Sequence, residues 1–190
     1  MGWNNDSFGF NFRIMKVGIL GGSFNPPHLG HVHISQLAIK KLNLNQVWWV
    51  VTEKNPLKEA VIFDQKLSRI QKCRNIIKNQ KNLRLCEIDE IYTINLVRRL
   101  KAKYKNVKFF WLMGADNLEN FHRWKNFKEI SKEINLAIFS REDFLSKIKK
   151  MKSWSFVKRN NPKIFFTKKL DISSTKIREK GNCNNSKNHS

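Results

Sequence analysis

The stretch that most constrains this chain is KVGILGGSFNPPHLGHVH, residues 16–33. Val17, Ile19 and Leu20 form a short apolar run with the β-branched content of a buried strand. Gly21-Gly22 is expected to break that strand and Pro26-Pro27 to hold an extended loop. A helix is expected to begin near Gly30, where Val32, Ile34, Leu37 and Ala38 take up helical spacing. Strand, glycine turn and helix N-terminus in succession let backbone N–H groups meet a phosphate. Within it, His28 and His31 stand three residues apart. With His28 at the helix entrance, that spacing turns both imidazoles to one face, toward the same anion.

Two other phosphate loops are excluded. Adjacent glycines and the prolines forbid the G-x-G-x-x-G turn, and no G-K-[ST] follows as a P-loop requires. The bland reading is a tight strand–helix connection with two surface histidines, and H-x-G-H directly after a strand is too specific for it. GGSFNPPHLGH resembles the signature of the nucleotidyltransferases that join a nucleoside triphosphate to a small phosphorylated or carboxylated acceptor, releasing pyrophosphate. The resemblance implies that Gly21, Gly22, Ser23, Phe24 and Gly30 bind ATP and that His28 and His31 stabilise the transition state. Asn25 stands where many members carry aspartate, keeping the hydrogen-bonding shape without the charge.

The rest of the chain alternates strand and helix. QVWWVVT (46–52), LRLCEI (83–88), VKFFWLMG (107–114), LAIFS (136–140) and KIFF (163–166) read as strands. Helical spacing is expected over 64–79 (Leu67, Ile70, Cys73, Ile77), 94–104 (Leu96, Val97, Leu100, Tyr104), 116–134, around Phe144, Ile148 and Met151, and from ISSTKIR onward. Such alternation predicts an α/β fold, a doubly wound parallel sheet wrapped by helices on both faces. The resemblance makes it the Rossmann-like nucleotidyltransferase fold. Right-handed crossovers would gather the strand C-terminal ends on one rim, where such sheets bind ligands. Four motifs follow strands as that rule requires: GGSFNPPHLGH, TEKNPLK, GADNL and DISSTKIR.

A chain of 190 residues is expected to bury roughly 70% of its unfolded surface. We expect a single domain over 1–180, with 1–14 an irregular extension and 181–190 a frayed polar tail. No apolar stretch approaches a membrane span and the N-terminus lacks the pattern of a signal peptide, so the cytoplasm is the expected compartment, without membrane association. Cys73, Cys86 and Cys183 have no C-x-x-C spacing, which suits reduced thiols and no metal site. The formal charge of +22 would attract polyanions. Its lysines are dispersed, however, and the densest cluster, SKIKKMK at 146–152, reads as a solvated helix face, so no specific nucleic-acid partner is expected.

Nucleotide transfer to a phosphorylated acceptor needs cations and donors more than a base, because the acceptor phosphate is already ionised. Lys58, held after the Asn55-Pro56 turn, can project over the site as a phosphate-seeking charge. Gly114 permits close approach of a ligand at a strand end, and Asp116 is placed to accept from ribose hydroxyls or to cap the following helix. The hydroxyls and amides of Ile172, Ser173, Ser174 and Thr175 can hold phosphate at a helix start, with Arg178 one turn on. Magnesium is expected with ATP.

GADNLENFHRWKNFKEI (114–130), EIYTINLV (90–97) and NPLK are similar to the nicotinate mononucleotide adenylyltransferases of NAD biosynthesis. That resemblance spans roughly 16–178 and implies ATP and nicotinate mononucleotide as partners. It puts Trp124 against the pyridine ring, Tyr92 and Thr93 at its edge and Asn55 at the acceptor, although Trp124, near Phe121 and Phe127, equally suits a core. It implies ATP contacts at Gly114, Asp116 and 172–175, and charge stabilisation by Lys58 and Arg178. Other acceptors, nicotinamide mononucleotide or phosphopantetheine, and a cytidylyl in place of an adenylyl group, stay open. From another class, a basic RNA-binding module stays open too, with the dispersed lysines against it. Class I aminoacyl-tRNA synthetases share H-x-G-H but carry a KMSKS loop that this sequence does not show. The oligomeric state, monomer or homo-oligomer, is left undecided.

Overall fold

A computed structural model describes residues 14–52, 64–140 and 144–167, together with Ser174 and Ile177. Six strands form one sheet in the order β3-β2-β1-β4-β5-β6, and every neighbouring pair is parallel. They are β1 (Met15–Gly22), β2 (Gln46–Val51), β3 (Leu83–Leu85), β4 (Val107–Gly114), β5 (Asn135–Ser140) and β6 (Lys163–Phe166). The chain winds outward from β1 to β3, returns to β4 beside β1, and winds the other way to β6. The direction of winding therefore reverses between β1 and β4, which is where a parallel sheet opens a crevice at its C-terminal rim.

The strands read as near-continuous apolar runs because both faces are covered. Val17, Ile19, Phe109, Trp111 and Met113 pack on one side with Leu96, Leu100, Leu118 and Ile130. These helical residues belong to α3 (Thr93–Lys103), α4 (Ala115–Asn120) and α5 (Phe127–Glu133). Leu20, Val47, Trp49, Phe110 and Leu112 pack on the other side with Ala38, Cys73 and Ile77. Those come from α1 (Leu29–Leu42) and α2 (Lys66–Ile77). Helices α6 (Leu145–Lys150) and α7 (Trp154–Val157) precede β6. Cys73 and Cys86 are free thiols, and burial pushes Cys73 up to about 12.

Two expected boundaries move. The strand does not break at Gly21-Gly22: β1 runs through both, pairing Gly21 with Val50 and Gly22 with Val51. No glycine among the described residues has positive φ, so these two make no special turn. Gly21 answers to packing instead, because a Cβ there would lie 2.7 Å from the Trp111 ring. The strand expected over 83–88 stops at Leu85, with one further bond from Cys86 N–H to the Trp49 carbonyl at 2.9 Å. In α6, Ile148 is buried while Ser146, Lys147, Lys149 and Lys150 are exposed, as a solvated face requires. Among the described residues no helix is long and apolar enough to cross a membrane.

Candidate active site

The loop between β1 and α1 is built on Phe24. Its φ of 47° is left-handed, which costs a bulky residue about 1–3 kcal/mol. Packing offsets that cost: the ring is 1% exposed and stacks on Trp49 at 4.9 Å and 13°. Its other neighbour is His31, at 4.8 Å between centroids. Asn25 is turned inward, 3% exposed, and its Oδ1 accepts from Asp64 N–H at 3.2 Å. At this position the amide serves the loop's own structure.

His28 is the N-cap of α1, which starts at Leu29, one residue before the start expected near Gly30. Its Nδ1 accepts from Gly30 N–H at 3.1 Å, and His31 Nδ1 accepts from His28 N–H at 3.1 Å. Two histidines thus perform the reciprocal capping that Ser and Glu usually share. A backbone N–H can only donate, so both Nδ1 atoms are unprotonated and each neutral ring carries its proton on Nε2. The two rings lie 3.9 Å apart between centroids. Burial holds His28 below its ordinary pKa, in keeping with the neutral form. The expectation of two imidazoles on one helix face is met, and the cap additionally fixes them as N–H donors.

Two other segments are bonded to this region of the chain. Thr52 N–H donates to the Gly22 carbonyl at 3.0 Å, joining the end of β2 to the end of β1. Ser174 Oγ donates to the Pro26 carbonyl at 2.8 Å and brings the last motif onto the first, 148 residues away. Ser174 and Ile177 are helical, as expected of that segment. Asn55, Lys58, Ile172, Ser173, Thr175 and Arg178 lie outside the described residues.

At the end of β4, Gly114 is the N-cap of α4 and Asp116 is its second residue, exposed. The helix has no side-chain cap bond, so Asp116 does not cap it as one expectation had it. A Cβ on Gly114 would lie 2.3 Å from Asp116 Oδ1, which shows the carboxylate folded back over the strand end. The glycine leaves room for that carboxylate at the rim.

Tyr92 is the N-cap of α3 and 37% exposed, and Thr93 opens the helix, half-buried. Trp124 is also half-buried, edge-on to Trp111 at 6.2 Å and to Phe121 at 5.3 Å. One side of its indole therefore belongs to the core, as the alternative reading held, while the residue stays partly accessible. His122 lies in a 3-10 turn with Nδ1 3.0 Å from the Glu119 carbonyl, and Arg123 is exposed. No group of three or more His, Cys, Asp or Glu among the described residues is arranged to hold a metal.

Sequence reasoning missed Arg69. It is 2% exposed and donates to three backbone carbonyls: Ser23 at 2.6 Å, Thr52 at 2.9 Å and Asp64 at 3.0 Å. One guanidinium ties the glycine loop, the end of β2 and the approach to α2. The available signal was its spacing, four residues before buried Cys73 on the apolar stripe of α2.

Comparison with known proteins agrees with the fold. Residues 19–180 match the family described as cytidylyltransferase-like. A relative from Agrobacterium fabrum, named "Probable nicotinate-nucleotide adenylyltransferase", is 39% identical over 131 residues, covering 67% of this chain and 70% of its own. A relative of the same name from Pelagibacter ubique is 36% identical over 173 residues, covering 89% and 95%. The structure of Plasmodium falciparum nicotinic acid mononucleotide adenylyltransferase complexed with NaAD aligns with a TM-score of 0.67 over 87% of this chain and 83% of that one. At 19% identity it supports the fold. This chain belongs to the cytidylyltransferase-like family and, within it, to the nicotinate-nucleotide adenylyltransferases.

Proposed function

We propose that the rim between β1 and β4 transfers the adenylyl group of ATP to nicotinate mononucleotide, giving deamido-NAD and pyrophosphate. The observation that carries the chemistry is the reciprocal His28–His31 cap, which fixes two neutral Nε2–H donors side by side at a helix N-terminus. The acceptor phosphate attacks the α-phosphorus in line, and charge builds on the departing pyrophosphate. Donors already in place stabilise that charge without reorganising at the moment of reaction. Magnesium enters with ATP as part of the substrate.

His28 and His31 take the role of transition-state donors in this reading, with Lys58 and Arg178 as further cations on the phosphates. Gly21, Gly22, Ser23, Gly30 and the backbone of Phe24 bind the nucleotide in this reading, together with Ile172, Ser173, Ser174 and Thr175. The Ser174–Pro26 bond supports that pairing of motifs. Asp116 accepts from ribose. Trp124 stacks on the pyridine, with Asn55, Tyr92 and Thr93 around it. Incubation with ATP and each candidate acceptor, with products separated and weighed by mass spectrometry, tests the reading. Deamido-NAD from nicotinate mononucleotide is expected, and absence of turnover with either pyridine mononucleotide refutes it.

A further inference from the structure

Two segments supply the proposed acceptor pocket: the entry to α3 at Tyr92-Thr93, and the link from α4 to α5 at Trp124. A cation joins them. The Lys125 ammonium lies over the Tyr92 ring, 4.2 Å from its centroid. The two segments meet because α3 and α5 lie side by side, with Arg98 bonded to Glu133 at 2.8 Å between them. Both helices run from the rim downward, so Tyr92 and Lys125 are together at the upper end.

We propose that Lys125 is the residue that selects an acidic pyridine mononucleotide over its amide, its ammonium meeting the ring carboxylate from its seat on Tyr92. This rests on the reading of Tyr92, Thr93 and Trp124 as the acceptor pocket. The two candidate acceptors are close to isosteric, and stacking on Trp124 treats their rings alike. A pocket cannot separate isosteres by shape; it separates them by what it leaves paired or unpaired. The difference between carboxylate and carboxamide is a full charge, so a fixed cation at the ring edge is the group that discriminates.

The surroundings leave that cation available. Among the described residues no carboxylate is within ion-pair distance of Lys125. The acidic residues just before Tyr92 are engaged elsewhere: Asp89 with Lys66 at 2.5 Å and Glu90 with Arg99 at 3.3 Å. The aromatic face restrains the flexible lysine stem without neutralising its charge, so little further order is lost when an anion arrives. The α3 N-terminus has no side-chain cap and no acidic residue in its first turn, so its dipole acts in the same direction.

The test compares kcat and KM for nicotinate mononucleotide and nicotinamide mononucleotide in wild type, K125M and K125R. One ion pair at a half-open pocket gives about a tenfold preference. K125M is expected to lower kcat/KM for the acid about tenfold, mainly through KM, to leave the amide within about twofold, and K125R to restore the acid. The circular dichroism of each variant checks folding. Equal loss with both acceptors overturns the proposal, because Lys125 would then act only by bracing Tyr92. An unchanged acid-to-amide ratio in active K125M overturns it too and leaves the acceptor reading standing. Wild type inactive with both acceptors refutes the acceptor reading itself.

Discussion

Replacing Arg69 with methionine is the most informative single perturbation of the scaffold. The guanidinium is 2% exposed and donates to the carbonyls of Ser23, Thr52 and Asp64. A hydrogen bond to a charged group contributes about 1.5–3 kcal/mol, so three bonds set a ceiling of about 9 kcal/mol. The variant no longer buries a charge, which returns part of this, but three carbonyls lose their donor. The balance resembles breaking a buried ion pair at its lower end, a loss of about 3–4 kcal/mol. For a chain of this size about 1 kcal/mol moves Tm by about 2–4 °C, so the expected drop is about 6–16 °C. Ser23 directly precedes Phe24, whose ring buttresses His31 at 4.8 Å, so turnover should fall at least about tenfold at temperatures where the variant is folded. Urea denaturation and pyrophosphate release measure the two effects. A stability loss under about 1 kcal/mol with wild-type turnover would refute the reasoning, since the three loops would then be held without the guanidinium.

Two further outcomes follow from the histidine cap. His31→Ala removes one donor to the developing charge and should lower kcat at least about 100-fold, with about 1 kcal/mol lost from the cap; unchanged kcat in a folded variant would remove His31 from the mechanism. His28 has a folded pKa below its unfolded value near 6.5, so the unfolded chain binds more protons as pH falls through 6.5. Stability is therefore full above about pH 6.5 and declines toward and past the folded pKa, where protonation of Nδ1 also breaks the bond from Gly30 N–H. NMR titration of the His28 ring should show a midpoint below 6.5, and one at or above it would contradict the burial argument.

The layout of the fold was legible because its sheet is covered on both faces. Runs such as Val17–Leu20 and VKFFWLMG carry the apolar density that only a doubly covered parallel strand needs, and helical spacing filled the gaps. The two misreadings have different causes, one at long range and one local. Gly21 signals a turn in isolation, yet the structure uses it to admit the Trp111 ring from the neighbouring strand. Asp116 after a strand-end glycine suggests an N-cap, but Gly114 itself occupies that position. Within the site, the H-x-G-H spacing was enough to place both histidines at the helix entrance. Their reciprocal capping was not legible, because it depends on ring orientations set by Phe24 and the backbone. Arg69 gave only its spacing to Cys73 as a signal: an arginine on an amphipathic helix ordinarily points to solvent, and its partners are carbonyls, which no residue type announces.

The central claim is that His28 and His31 act as donors and that transfer to the acceptor phosphate is direct. Both Nδ1 atoms are committed to the cap and both Nε2 atoms carry protons, so neither ring offers a nucleophile. The stereochemical course at phosphorus tests this most directly, using ATP made chiral at the α-phosphorus by a single sulfur, with nicotinate mononucleotide as acceptor. One in-line displacement predicts inversion in the dinucleotide product. Retention would require two displacements and a covalent adenylyl-enzyme, and would contradict the account.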